Sequence, residues 1–238
     1  MTPTTKASNP LGAYDPVAHA ALICDWSLSV APGDAVLVHY PTVAEPLAIA
    51  VQQAMLERGA WPALRPEVEG SARAYVDHAH DAQLDAPNPI DVAEQKAAGK
   101  LLRIYAPDGA DPLAGADRGR VAQLARGRQS LRRTVQKTPW CLSIFPTAGL
   151  AERAELSLGD YATFVHGALM LDRPDPAGAW RELSTMQAEL CERLTRATTI
   201  RIEGDGTDVS LRVDGRHWQN SDGKRNLPSG EVFTGPRE

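Results

Sequence analysis

The chain has 238 residues, of which 43% are hydrophobic and 23% charged, and a formal net charge of −5 at pH 7. That is enough for one or two packed domains; no apolar run reaches the ~20 residues of a membrane helix, and the acidic balance argues against a general nucleic-acid binder. Cys24, Cys141 and Cys191 lie far apart in the sequence, a number and spacing that exclude a disulfide framework and a CxxC zinc site and fit a reducing cytoplasm. Residues 1–10 are polar and lack the apolar centre of a secretory signal, so a cytoplasmic protein without a membrane anchor is expected.

In chain order, the first predicted element is a helix over 15–29, with Val17, Ala21, Cys24 and Leu28 on one stripe. Residues 34–40 (DAVLVHY) follow the turn signal Pro32-Gly33 and read as a buried strand. Thr42-Val-Ala-Glu45 has the spacing of a capping box, with Leu47, Ala50, Val51 and Ala54 on the inner face of the helix it opens and Gly59 as the stop. Residues 61–66 complete a βαβ unit, and Pro62 and Pro66 push this strand towards an edge. A helix is predicted over 71–84. Residues 101–106 (LLRIYA) and 140–145 (WCLSIF) read as further strands, with an amphipathic helix between them over 117–137 that turns Val121, Leu124, Leu131 and Val135 inward. Helices follow over 160–171 and from Asp175, with Pro176 at the first position and Leu183, Met186, Leu190 and Leu194 inside.

At about Thr198 the pattern changes. Residues 199–203 and 208–213 alternate with period two around Gly204-Asp205-Gly206, a hairpin signal. Asp222-Gly223 is a second turn, and Glu231-Val-Phe-Thr234 is β-prone. The expected fold is therefore α/β: an N-terminal domain over 1–197 with a mainly parallel sheet flanked by helices, then over 198–238 the opening β-hairpin strands of an incomplete α+β domain.

Few residues advertise chemistry. Asp77-His78-Ala79-His80-Asp81 resembles a metal cluster, but helical residues two apart do not face one another. Arg118, Arg120, Arg126, Arg128, Arg132, Arg133 and Lys137 make a basic stretch without interleaved aromatics, which reads as the outer face of a packed helix. No GxGxxG after a strand, Walker loop or GxSxG occurs. The glycines at 204 and 206 belong to a hairpin rather than a phosphate cradle. His19, His39, His166 and His217 are scattered and read as structural. Composition alone makes Glu231 an exposed acid at a strand end.

The run Asn226-Leu-Pro-Ser-Gly-Glu231-Val-Phe-Thr-Gly-Pro236 resembles the signature of the thermophilic metalloaminopeptidases of the aminopeptidase T, aminopeptidase S and aminopeptidase II type. Four further stretches are similar to that family: Val30-Ala-Pro-Gly-Asp34 with the helix ending in Arg58-Gly-Ala60; residues 140–147 (WCLSIFPT); Tyr161-Ala-Thr-Phe164 leading to Leu171-Asp-Arg-Pro-Asp-Pro and Trp180; and residues 204–218 leading into the W-x-N-x-D-G turn. Together they span nearly the whole chain. The resemblance implies a C-terminal domain with two divalent metal ions (zinc, cobalt or magnesium) held by glutamates, histidines and an aspartate. Carried over by motif, Glu231 corresponds to the first metal-ligand glutamate. The family's other ligands and its general-base glutamate lie downstream of Glu238, so no catalytic residue is expected in this chain, which reads as a fragment of a longer protein or, alternatively, as a truncated, inactive relative.

The activity so implied is removal of N-terminal residues from peptides by a metal-activated water. The substrate would be a peptide with a free N-terminus, and the full-length protein a homodimer, with no nucleic-acid or membrane partner. The rival reading is a non-catalytic α/β module for ligand binding or dimerisation, and a third is a nucleic-acid accessory protein that uses the basic helix.

Overall fold

The computed structural model describes residues 11–131 and 137–235. A five-stranded, wholly parallel sheet is its centre. The strands are β1 (Ala35–Pro41), β2 (Trp61–Glu67), β3 (Lys100–Tyr105), β4 (Trp140–Ile144) and, far later in the chain, β8 (Asn226–Leu227). Their order is β2-β1-β3-β4-β8, the doubly wound order in which the sheet grows outward in both directions from its first strand. As Pro62 and Pro66 foretold, β2 is the edge strand.

The two faces of this sheet differ. Val36, Val38, Leu102, Ile104 and Cys141 alternate onto one face and join the main core with Ile23, Leu47, Met55, Leu169 and Trp180. That core is contributed by helices α1 (Pro16–Leu22), α2 (Glu45–Glu57), α8 (Leu158–Ala168) and α9 (Pro176–Thr195). On the other face, α5 (Pro89–Ala97) buries none of its residues. Ion pairs between Arg65 and Glu94 and between Arg103 and Glu67 lie there instead. Short helices α3 (Ser71–His78), α4 (Asp81–Leu84) and α6 (Arg118–Gly127) form a satellite cluster around Val76, Leu84 and Leu124, and α7 (Ala148–Arg153) follows β4.

Several helical details depart from the sequence pattern. The first helix passes into a π-helical turn at Ile23–Ser27. The wider turn rotates the buried set to His19, Ala20, Leu22, Ile23, Cys24, Trp26 and Leu28, and leaves Val17 exposed. The Thr42–Glu45 capping box does not form. The Glu45 amide donates to the carbonyl of Thr42 in a 3-10 turn over Thr42–Ala44, so the amide that the Thr42 hydroxyl was to receive is already taken. The helix expected over 71–84 breaks at Ala79 and His80, both extended. There the Arg120 guanidinium takes the carbonyls of Val76 and Ala79, and the Gln83 side chain accepts from the His80 amide. The helix from Asp117 turns out of line at Arg128; the expected inward residue Val135 lies outside the described residues, as do Arg132 and Arg133.

Asp175 caps α9 as expected, accepting from the Gly178 amide at 2.8 Å. Of the predicted stripe on α9, Leu183 packs against the main core, but Met186 is 60% and Leu190 42% exposed, and Trp180 and Gln187 are buried. The face is chosen by what lies against it. Ser184 donates to the Asp222 carboxylate, and its carbonyl accepts from Asn220, so a polar turn packs on the helix beside the apolar core that Trp180 and Leu183 join.

After Thr198, β5 (Thr199–Gly204) and β6 (Thr207–Arg212) form the expected hairpin, closed by Asp205 and Gly206 with Gly206 at φ +69. β7 (Gln219–Ser221) and β9 (Glu231–Phe233) form a second antiparallel pair. Between them the chain leaves this ribbon and adds β8 to the parallel sheet, so the stretch after 197 is partly anchored in the first body. The final residues of the stretch expected to open the second domain, Pro236 to Glu238, lie outside the described residues.

Candidate functional site

Glu231 opens β9 and stands opposite Ser221 of β7. Its presentation depends on the nine residues before it. Trp26 Nε1 donates to the Asp222 carbonyl and Ser27 Oγ to the Gly223 carbonyl, both at 2.7 Å. The Leu142 amide donates to the Arg225 carbonyl at 2.6 Å, and Ser143 Oγ donates to the Leu227 carbonyl at 3.0 Å. Leu227 is buried in the main core. The Gly230 amide donates back to Ser221, and the hydroxyls of Ser221 and Ser229 lie 2.7 Å apart. Gly223 is required: it has φ +84, and a Cβ there would lie 2.9 Å from the Trp180 ring. Lys224 and Arg225 stack over the Trp26 and Trp140 rings.

The Glu231 side chain is exposed and takes part in no hydrogen bond or ion pair with another described residue. The nearby Asp222 is buried and engaged, accepting from Ser184 Oγ at 2.7 Å and facing Lys224 Nζ at 3.2 Å. Beside the ribbon an apolar groove of about 280 Å³ is lined by Ile202, Leu211, Val213, Trp218, Val232 and Phe233, among others. Along the same stretch, buried Trp218 Nε1, Asn220 Oδ1 and Gln187 Oε1 have no hydrogen-bond partner among the described residues.

These donors do not amount to a metal centre. No group of three His, Cys, Asp or Glu among the described residues could hold an ion, whereas a protein zinc site takes three or four protein ligands. Glu231 is a single exposed carboxylate at the start of β9. Glu238, the other acid of this terminal run and the point after which the general base is expected, lies outside the described residues.

The other sequence candidates are placed plainly. Asp77 pairs with Arg73 on its own helix, and Asp81 faces Arg120 at 3.8 Å; His78 ends α3 and His80 lies in the break before α4. In the basic stretch, Arg120 is spent on the carbonyls of α3 and its following residue, and Arg128 stacks over Tyr75. His39 is partly buried among the charged pairs of the second sheet face, and burial followed by Arg103 lowers its pKa. Burial pushes the Cys24 thiol up to about 11 and that of Cys141 to about 12, which disfavours the thiolate at both.

What sequence reasoning missed is the partnership of His19. It is fully buried, with Tyr14 Oη 2.7 Å from Nδ1 and Ser143 Oγ 2.7 Å from Nε2. The inward alternation of β4 marks Ser143 as a polar residue on a core face, the one signal in the sequence that it needs a partner.

The fold is a doubly wound α/β body that carries a carboxylate on a strapped ribbon. The chain belongs to the thermophilic metalloprotease (M29) family, whose profile matches residues 17–238. Aminopeptidase 2 of Geobacillus stearothermophilus is 26% identical over 252 residues, covering 92% of this chain and 60% of that protein. The structure of wild-type AmpT from Thermus thermophilus matches with a TM-score of 0.73 at 20% identity, over 93% of this chain and 61% of that one. The 2,5-dihydroxypyridine dioxygenase of Pseudomonas putida KT2440 matches at 0.51 and 11% identity, over 93% and 56%. The last likeness concerns the fold alone, and a dioxygenase on a related scaffold illustrates that a fold does not choose a reaction. The chain spans about 60% of the length of the curated relative it matches.

Proposed function

We propose that this chain is the scaffold and first metal-ligand arm of a metalloaminopeptidase that removes N-terminal residues from peptides. The observation that carries the reading is Glu231: an exposed carboxylate without a partner among the described residues, on a short strand, behind a segment held at both ends, within the stretch matched by the family. The complete site would hold two divalent ions, zinc, cobalt or magnesium, with Glu231 as one ligand. The other ligands and the general-base glutamate would come from polypeptide downstream of Glu238. Residues 1–197 would form the supporting domain and 198–238 the start of the catalytic one, acting on a free peptide N-terminus as a cytoplasmic homodimer. The open groove and the unpartnered Trp218, Asn220 and Gln187 atoms support the view that further polypeptide completes the ribbon.

The test is Glu231→Gln in an active form of the protein, read by hydrolysis of amino-acyl anilides and by circular dichroism. The fold is retained and most of the activity lost, because one ion loses a charged ligand. Glu238→Gln is the control, with a milder loss expected. Full activity in Glu231→Gln, or an equal loss in both variants, contradicts the assignment. A second reading, favoured by the same groove, is a dimerisation module; it requires concentration-dependent dimers and no hydrolysis in any form of the protein.

A further inference from the structure

Ser143 joins the first body to the returning segment: its hydroxyl touches His19 Nε2 within the body and the Leu227 carbonyl of the segment. Ser143 is 1% and His19 0% exposed. The directions of the hydrogen bonds are fixed by elimination. Ser143 has one proton, and it is donated to the Leu227 carbonyl. Ser143 Oγ must then accept from His19, so Nε2 carries the imidazole proton. Nδ1 is left as an acceptor, and the Tyr14 hydroxyl 2.7 Å away donates to it. The result is one directional chain: Tyr14 to His19 to Ser143 to Leu227. Every member is satisfied, as a buried network must be.

We propose that the His19–Ser143 pair is a positioning device: it holds the Leu227 carbonyl, and with it the segment that presents Glu231. The significance of that segment rests on the reading of Glu231 as a ligand; the clamp itself does not. Leu227 belongs to a strand of only two residues, so the ladder to β4 offers little cooperative pairing. The Ser143 hydrogen bond fastens that register beside the Leu142–Arg225 backbone bond and the burial of Leu227. With the serine proton committed to Leu227 and the hydroxyl out of solvent, the pair is not a nucleophile and base, although its components are those of one. The imidazole is suited to the task because burial holds it neutral, with its pKa lowered to about 3.

Two measurements on the 238-residue chain test this. Nitrogen NMR of the labelled histidines gives the tautomer of His19 without any substitution. Protonated Nε2 with bare Nδ1 is expected; the opposite tautomer overturns the proposal, since Ser143 would then donate to His19 and not to Leu227. Residue-resolved hydrogen exchange then compares the parent with Ser143→Ala and Ser143→Thr. In Ser143→Ala, amides over 225–233 exchange about ten-fold faster while those of β1 and β3 stay within about two-fold. Ser143→Thr, which keeps the hydroxyl, returns the protection. A uniform rise over the whole sheet, or no change at 225–233, contradicts the proposal. Glu231→Gln leaves the exchange pattern unaltered, so failure of the ligand assignment is distinguishable from failure of the clamp.

Discussion

Residues 11–197 and residues 198–235 are ordered by different means. The first stretch carries nearly all of the main core, from Tyr14 to Trp180, under one face of a parallel sheet. In the second, Val213, Asp222, Gly223 and Leu227 are buried, and its other strands are paired ribbons that bury little. Two-stranded ribbons are marginal in water without a packed face. The second stretch is therefore firm where it is strapped to the first, through Trp26, Ser27, Leu142 and Ser143, and open where it is not, at Ile202, Val209 and Phe233. Stability is built in one region, and the candidate chemistry is carried on the other.

The contrast can be broken most severely at Trp180. Its ring is fully buried, its indole donates to the Leu169 carbonyl, and it packs under Gly223. Trp180→Ala is expected to cost about 3–5 kcal/mol in a denaturant melt; a loss below about 1 kcal/mol, the range of an ordinary surface change, contradicts the placement of the core.

The second effect is acid sensitivity. An unfolded imidazole takes up its proton near pH 6.5, whereas His19 in the fold stays neutral to about 3. Between those values the unfolded state binds more protons, so stability is full above pH 6.5 and falls as pH drops. The slope is about 1.4 kcal/mol per pH unit for the one group. Melts of the parent and His19→Gln at pH 6.5 and pH 5 isolate it, since the variant lacks that slope. Equal slopes contradict the buried neutral histidine.

Two smaller effects sharpen the comparison. Asp175→Ala removes a working N-cap and is expected to cost about 1 kcal/mol, while Thr42→Ala, where no side-chain cap forms, costs less than about 0.5 kcal/mol. Equal losses at the two sites would restore the capping box that the fold lacks. Smallest of all, Val209→Ala in the exposed hairpin should lie within about 0.5 kcal/mol of the parent; a large loss there would mean that the ribbon is packed.

Where local chemistry decides, the sequence was readable. Pro62 and Pro66 put β2 at the edge, Gly204 to Gly206 closed a hairpin, and Asp175 followed by Pro176 opened a helix. It misled where a tertiary partner decides. The Thr42 spacing suited a box, but a 3-10 turn used the same amide. The leucines of α9 suggested an apolar face, yet the polar turn at Asn220 and Asp222 bonds to Ser184. β8 was hidden because two residues within a turn-rich run carry no periodicity; its ladder to β4, the Ser143 hydroxyl and the burial of Leu227 place it. Glu231 was visible through resemblance alone; its local geometry is that of an exposed strand-end acid.

The claim that this chain holds one arm of a metal site and not the whole is tested most directly by elemental analysis of the purified 238-residue protein after equilibration with zinc or cobalt and removal of free ion, paired with an amino-acyl anilide assay of the same sample. The account predicts metal well below one equivalent and no turnover, because a lone carboxylate in water binds divalent ions weakly. Two bound ions, or clear hydrolysis by this chain alone, would contradict it.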